Sequence, residues 1–185
     1  MLDVKRNLTT IMDFYELTMA AGYLEEGFED KISVFDMFFR KIPDGGGYAI
    51  MAGLDTFIEA VENLKFTDQD IEYLAATGVF NEKFLNYLRN FTLHCNIWAI
   101  TEGTPIFPQE PIVTVEGPSI ECQLLETLLL VTFNHQCLVA TKSNRIVRSA
   151  QGRPVMEFGA RRAQGYDAAV YGARAAYIGG CASTS

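Results

Sequence analysis

The sequence predicts a mixed α/β protein, and three observations predict it. Helical and strand periodicities alternate along the 185 residues in the order α, β, β, several helices, β, β, then helix–strand–helix. The composition, 49% hydrophobic and 21% charged with only 6 Pro, supplies enough apolar material for a real core. The last third repeats a helix, a buried strand and a small-residue helix, which is the pattern of βα units.

The elements follow in order. Thr9 or Thr10 can cap a first helix carrying Ile11, Phe14, Leu17, Met19 and Ala20, with Gly22 or Gly27 ending it. Residues 32–39, Ile-Ser-Val-Phe-Asp-Met-Phe-Phe, are rich in strand formers. Pro43 to Gly47 is a turn, and Tyr48 to Ala52 is a second apolar strand. After Gly53, the spacing of Leu54, Phe57, Ile58, Val61 and Leu64 predicts a helix. Thr67-Asp68-Gln69-Asp70 opens another with a cap and early acids, and residues 81–91 form a further one. Short strands are predicted at 96–100 and 112–115, separated by the rigid turn Gly103 to Pro111, which is read as structural. One long helix is predicted over 121–149, then a buried strand over 155–159 and a helix over 165–178. The sequence closes on the glycine-rich turn Gly179 to Ser185. A βα turn with no following helix is an unusual place for a domain to stop, so the chain reads as truncated.

Charge and cysteine usage narrow the function classes. A net charge of −8 argues against a nucleic-acid binder, which needs a basic face to displace counterions. The first residues hold no signal-peptide apolar stretch, and the run Leu124 to Phe133 is interrupted by Glu126 and falls short of a membrane span. Cys95, Cys122, Cys137 and Cys181 show no metal-ligand spacing and read as buried, reduced thiols. Together these predict a cytoplasmic protein.

Four places could carry chemistry. Glu157-Phe158-Gly159-Ala160-Arg161-Arg162 puts an aromatic and two arginines at the C-terminal end of a strand, where α/β folds present ligands. Such a set can stack on a planar ring and grip a carboxylate or phosphate, or it can be a core Phe with two solvated arginines. Asp13-Phe14-Tyr15-Glu16 is an amphipathic helix start whose Tyr15 can be a surface residue. Arg40 and Lys41, at a strand-to-loop junction, can hold phosphate or discourage edge aggregation. His94 sits in a loop, and His135 reads as a hydrogen-bonded core or interface histidine. No Ser/His/Asp set, nucleotide-binding glycine loop or metal cluster can be built from these spacings.

Four stretches together resemble the nicotinate phosphoribosyltransferases. They are Asp13-Phe14-Tyr15-Glu16-Leu17-Thr18-Met19, Phe35-Asp36-x-Phe38-Phe39-Arg40, Gly103-x-Pro105-x-Phe107-Pro108-x-Glu110-Pro111, and Glu157-Phe158-Gly159-x-Arg161-Arg162-Ala163-Gln164-Gly165. They occur in the family's order over nearly the whole chain, which corresponds to the first portion of a family protein.

The resemblance implies an N-terminal α/β domain, here residues 1–120, leading into an irregular α/β barrel of the type II phosphoribosyltransferase kind. Residues 121–185 would be the barrel's first units, leaving it incomplete in this chain. It implies transfer of phosphoribosyl from 5-phosphoribosyl-1-diphosphate to nicotinate, driven by ATP hydrolysis, with Mg²⁺, in a head-to-tail homodimer. Phe158 and Gly159 would form one wall of the pyridine site, with Arg161 near the carboxylate. Tyr15 and Asp13 of the neighbouring subunit would form the other wall. Arg40, Lys41 and Arg162 would attract phosphate. The family's phosphorylated histidine lies in a Gly-Thr-x-Ala-His-Ser motif that this sequence lacks, so no catalytic residue is expected before Ser185. Ser183 also stands where the family turn carries glycine, a change that costs backbone freedom. Two further readings remain: a transferase for nicotinamide or another pyridine, and an inactive dimerisation piece.

Overall fold

The structure is a computed structural model and describes residues 7–184. The leading segment expected to lack a signal peptide and the terminal Ser185 lie partly or wholly outside those residues. Seven α-helices and seven short strands are described: α1 (Phe14–Glu25), β1 (Ile32–Met37), β2 (Ala49–Ile50), α2 (Leu54–Glu62), α3 (Asp68–Ala76), α4 (Glu82–Arg89) and β3 (Asn96–Ala99). Then come β4 (Pro105–Ile106), β5 (Val113–Pro118), α5 (Ser119–Gln123), α6 (Glu126–Ser149), β6 (Met156–Glu157), α7 (Tyr166–Ile178) and β7 (Ser183–Thr184). The strands pair in the orders β1-β5-β3, β2-β4 and β6-β7. The β2-β4 pair is antiparallel, with Ala49 opposite Ile106. The β6-β7 pair is parallel, with Met156 opposite Ser183.

The chain forms two compact units that interleave in sequence. One comprises Met1–Phe35, Ile58–Ile97 and Val115–Leu129, and the other Asp36–Phe57, Trp98–Thr114 and Leu130–Ser185. This is a different division from the consecutive one at residue 120.

The first unit is a helical core. On α1, Leu17, Ala20 and Leu24 share one face and meet Ile71 and Leu74 of α3, Phe84, Leu85 and Leu88 of α4, and Ile120 of α5. Each buried Leu or Phe there contributes about 1.5–3 kcal/mol of transfer free energy. Phe80 joins the core to Phe14 and Phe84, with ring centroids 5.6 and 5.3 Å apart. Caps fix the helix starts: Thr67 Oγ1 accepts from Asp70 N–H at 3.2 Å while Asp70 Oδ2 accepts from Thr67 N–H at 2.7 Å. Asn81 Oδ1 accepts from Phe84 N–H at 2.9 Å.

α1 begins later than the threonines suggest. Asp13 is its N-cap residue, and Glu16 Oε1 accepts from Asp13 N–H at 3.2 Å. Thr9 is used elsewhere, its hydroxyl accepting from Lys65 N–H at 2.8 Å. Gly27, at φ +72°, ends the helix. Phe28 N–H returns to Tyr23 O at 2.8 Å and Gly27 N–H to Leu24 O at 3.4 Å, a Schellman closure that needs a left-handed residue.

The second unit packs β2 on α6 and α7. Ile50, Ala52, Ala140 and Ala175 form its small-residue core. β2 spans two residues rather than five, and side chains of α6 take backbone N–H groups at its end and just beyond. Thr141 Oγ1 accepts from Ile50 N–H at 2.8 Å, and Cys137 Sγ from Ala52 N–H at 3.3 Å. Gly179 ends α7 against α6, where an added Cβ would lie 2.4 Å from Ala140 O.

Three other expectations change. The single helix over 121–149 is two, α5 and α6, broken at Leu124 and Leu125. Leu125 N–H bonds to Cys122 O, three residues back, so the last turn tightens before α6 restarts at Glu126. The strand over 155–159 is Met156–Glu157 and is not buried: Met156 is 56% exposed because β6 pairs only with β7 among the described residues. Cys122, Cys137 and Cys181 are buried and free, but Cys95 is only half-buried. By length and a mean hydropathy of 1.2, Ser119–Ser149 could cross a membrane, yet half of that apolar window is buried within the protein, as in a core helix.

Candidate functional site

The strand-end set lies in the second unit. After β6, Phe158 is 58% exposed. The chain turns through a 3₁₀ segment, Ala160–Arg162, closed by Arg162 N–H to Gly159 O at 2.8 Å. A Cβ on Gly159 would stand 2.5 Å from Glu157 Oε1, the same oxygen that accepts the Gly159 N–H, so any larger residue there would have to displace that carboxylate. Glu157 thus clamps the turn and aims the segment that follows. Gly165, at φ +95°, makes the sharp entry to α7. Arg161 and Arg162 are exposed, and neither forms an ion pair among the described residues. The stretch can offer one ring face and two open guanidinium groups to a planar anion.

Arg40 and Lys41 follow β1 in the same unit, also exposed and without an ion pair among the described residues. The Gly103–Pro111 turn braces that loop. Gln109, at φ +66°, donates its N–H to Phe39 O at 2.8 Å and its Nε2 to Arg40 O at 2.9 Å. The turn is therefore a support for the Arg40 backbone, consistent with its structural reading.

Tyr15 and Asp13 lie in the first unit, at the start of α1. Tyr15 is 43% exposed. A hydrogen bond to the Glu126 carboxylate, with the nearby Glu16 and Asp13 charges, pushes its phenol up to about 12. Beneath it, Glu16 is fully buried. Its Oε1 accepts from Thr127 N–H at 3.2 Å and from the Thr127 hydroxyl, tying α1 to the start of α6. Its Oε2 is buried without a hydrogen-bond partner among the described residues. Burial pushes the Glu16 carboxyl up, against the hydrogen bonds from Thr127 and Asp13 that favour the anion.

Each histidine has a polar neighbour. His135 Nε2 lies 3.4 Å from Ala168 O, a half-buried contact between α6 and α7. His94 Nδ1 pairs with Glu121 Oε1 at 3.0 Å in a loop. Ser183 lies in β7 with no left-handed φ, so its side chain is accommodated there without backbone strain.

One polar network was not anticipated. Arg174 of α7 grips Glu102 through Nη1 at 2.8 Å and Nη2 at 2.7 Å, and reaches Asp55 at 3.2 Å. Glu102 Oε1 also accepts from Gly53 and Leu54 N–H at 2.6 and 2.9 Å, capping α2. Burial would raise the Glu102 carboxyl, but Arg174 and the two N–H groups outweigh it and hold the group below its usual range. A lone arginine in the Ala-rich stretch 168–176 was the available signal.

A family model described as the nicotinate phosphoribosyltransferase N-terminal domain matches residues 10–134. The chain belongs to the nicotinate phosphoribosyltransferase family. Among its relatives, nicotinate phosphoribosyltransferase pncB2 of Mycobacterium tuberculosis is 45% identical over 94% of this chain and 37% of that protein. The Bacillus subtilis nicotinate phosphoribosyltransferase is 44% identical over 97% of this chain and 36% of its own length. The structure superposes on the human nicotinic acid phosphoribosyltransferase at a TM-score of 0.87 with 34% identity, over 94% of this chain and 35% of that one. A nicotinate-nucleotide pyrophosphorylase from Pyrococcus furiosus, at 24% identity and a TM-score of 0.72, shares the fold. The mixed α/β fold is thus that of the family, and the chain spans little more than a third of the relatives it matches.

Proposed function

We propose that this chain supplies the acceptor-binding side of a nicotinate phosphoribosyltransferase, which makes nicotinate mononucleotide and diphosphate from nicotinate and 5-phosphoribosyl-1-diphosphate. The observation that carries the reading is the exposed Phe158 followed by two arginines with no ion pair among the described residues, next to the Glu157–Gly159 clamp.

Phe158 and Gly159 form one wall of the pyridine site, with Arg161 on the ring carboxylate. Tyr15 and Asp13 of a second subunit form the other wall in a head-to-tail homodimer. Arg40, Lys41 and Arg162 attract the phosphates. Loss of diphosphate leaves an oxocarbenium-like ribose, so the protein's task is positioning and charge stabilisation. Two aromatic planes aim the ring nitrogen at the sugar, and a carboxylated ring is retained by a guanidinium. Among the described residues no three carboxylates, imidazoles or thiols converge on a metal site. Mg²⁺ would supply charge neutralisation at the diphosphate, and the residues named above are assigned to the organic substrates.

The finer architecture belongs to the same reading: residues 1–120 are the N-terminal domain and 121–185 the first units of an irregular barrel, in a cytoplasmic enzyme. ATP coupling is assigned to the whole protein, and no histidine of this chain takes part in it. The test is formation of nicotinate mononucleotide from nicotinate and phosphoribosyl diphosphate, with and without ATP, by the whole protein carrying this chain. Faster turnover with ATP is the expected result. Absence of product from a folded protein overturns the assignment, and preference for nicotinamide moves it to the neutral pyridine.

A further inference from the structure

Cys95 precedes β3 and Cys122 lies in α5, both within the first unit. Their Sγ atoms are 3.6 Å apart, which is van der Waals contact. A disulfide needs about 2.05 Å, so the two sulfurs have only a short remaining gap to close. Gly117 walls one side, since a Cβ on it would lie 2.6 Å from Cys95 Sγ. Cys95 is half-buried while Cys122 is buried, so the Cys95 residue is the more accessible of the two. An open pocket of about 200 Å³, lined in part by Tyr87, Phe91, His94 and Glu121, adjoins the pair through their chain neighbours. Glu121 Oε2 lies 3.8 Å from Cys95 Sγ as a hydrogen-bond acceptor.

We propose that Cys95 and Cys122 are an oxidant-responsive thiol pair that closes to a reversible intramolecular disulfide. With a small peroxide, the Cys95 sulfur attacks one peroxide oxygen. The O–O bond breaks, and the thiol proton passes by way of Glu121 to the departing hydroxide, giving a sulfenic acid and water. The Cys122 sulfur then attacks the Cys95 sulfur, the S–S bond forms, the S–O bond breaks, and the Cys122 proton leaves with the hydroxyl as a second water. Two thiols are oxidised by two electrons and one peroxide is reduced to two waters. The hydrogen bond with Cys122 and burial push the Cys95 thiol up, so the first step is slow and answers sustained oxidant rather than traces. The cross-link closes a loop between positions 27 apart in sequence, which restricts the unfolded chain.

The test uses the 185-residue chain under native conditions, treated with hydrogen peroxide, alkylated and mapped by mass spectrometry. The expected result is a Cys95–Cys122 linked peptide and loss of the mass of two hydrogens, both reversed by dithiothreitol. The thermal midpoint rises by roughly 5–10 °C in the oxidised form. Cys95→Ser abolishes the mass loss. The proposal is overturned if Cys95 proceeds to sulfinic acid without joining Cys122. It is equally overturned if both thiols remain alkylatable on unfolding after prolonged oxidation, or if Cys95→Ser shows the same mass loss as the parent.

Discussion

Arg174→Met keeps the apolar stem of the side chain and deletes the charge that Glu102 depends on. The variant leaves Glu102, whose side chain is 19% exposed, with the Gly53 and Leu54 N–H groups alone. Breaking a fully buried ion pair from one side costs about 3–5 kcal/mol. The Arg174 side chain is 32% exposed, and solvent screening reduces the expected loss to about 2–3 kcal/mol. Asp55, 81% exposed, adds little. The sign with pH follows from the direction of the Glu102 shift. Its folded carboxyl lies below its ordinary value, so the stabilisation is complete above the unfolded value, about 4.3, and is lost as pH falls through the folded value. Urea unfolding followed by Trp98 fluorescence should show the variant's midpoint lower by about 1 M at neutral pH. The gap should close on acidification. Equal midpoints at neutral pH, or a gap that persists unchanged in acid, would refute the assigned role.

Three further outcomes follow from single contacts. Glu16→Ala removes the acceptor for Asp13 N–H, Thr127 N–H and the Thr127 hydroxyl in a buried site and should cost about 2–4 kcal/mol in chemical denaturation. Glu16→Gln keeps an acceptor oxygen and the side-chain volume and should cost less than half as much; equal losses would mean that the carboxylate itself, rather than one acceptor oxygen, matters there. Gly179→Ala drives a methyl group to 2.4 Å from Ala140 O and should destabilise by about 2–3 kcal/mol, with an unchanged melting temperature contradicting the close approach of α7 to α6. Phe158→Ala, at a 58% exposed position, should change stability by less than about 0.5 kcal/mol while raising the KM for nicotinate at least tenfold in the whole protein. A large stability loss would make Phe158 a core residue instead.

Local signals carried much of the fold. Thr67 caps α3 where its side chain suggested, because a cap is a contact between residues three apart, and Asn81 caps α4 in the same way. What escaped depends on distant partners. Thr9 and Thr10 are as good a cap as Asp13 in isolation, but Thr9 is engaged by Lys65. The break between α5 and α6 carries no glycine or proline, and the apolar run continues through it. The N–H groups of Ile50 and Ala52 go to Thr141 and Cys137, some 90 positions away in the chain. The site divides in the same way. The strand-end Phe158 and its arginines could be read directly, since they are contiguous. The Arg174–Glu102 pairing, 72 positions apart, and the Cys95–Cys122 contact become visible only once the chain is folded.

The central proposal is a pyridine site walled by Phe158 of one subunit and Tyr15 of another, and mixing two inactive variants of the whole protein tests it most directly. Tyr15→Ala and Phe158→Ala each cripple both sites of their own homodimer. On exchange of subunits, roughly half the dimers are mixed, and each of these holds one site with both aromatics intact. Turnover to nicotinate mononucleotide should therefore recover to about a quarter of wild type after subunit exchange. Recovery no greater than the sum of the separate variants, with exchange verified, would contradict a site shared between subunits.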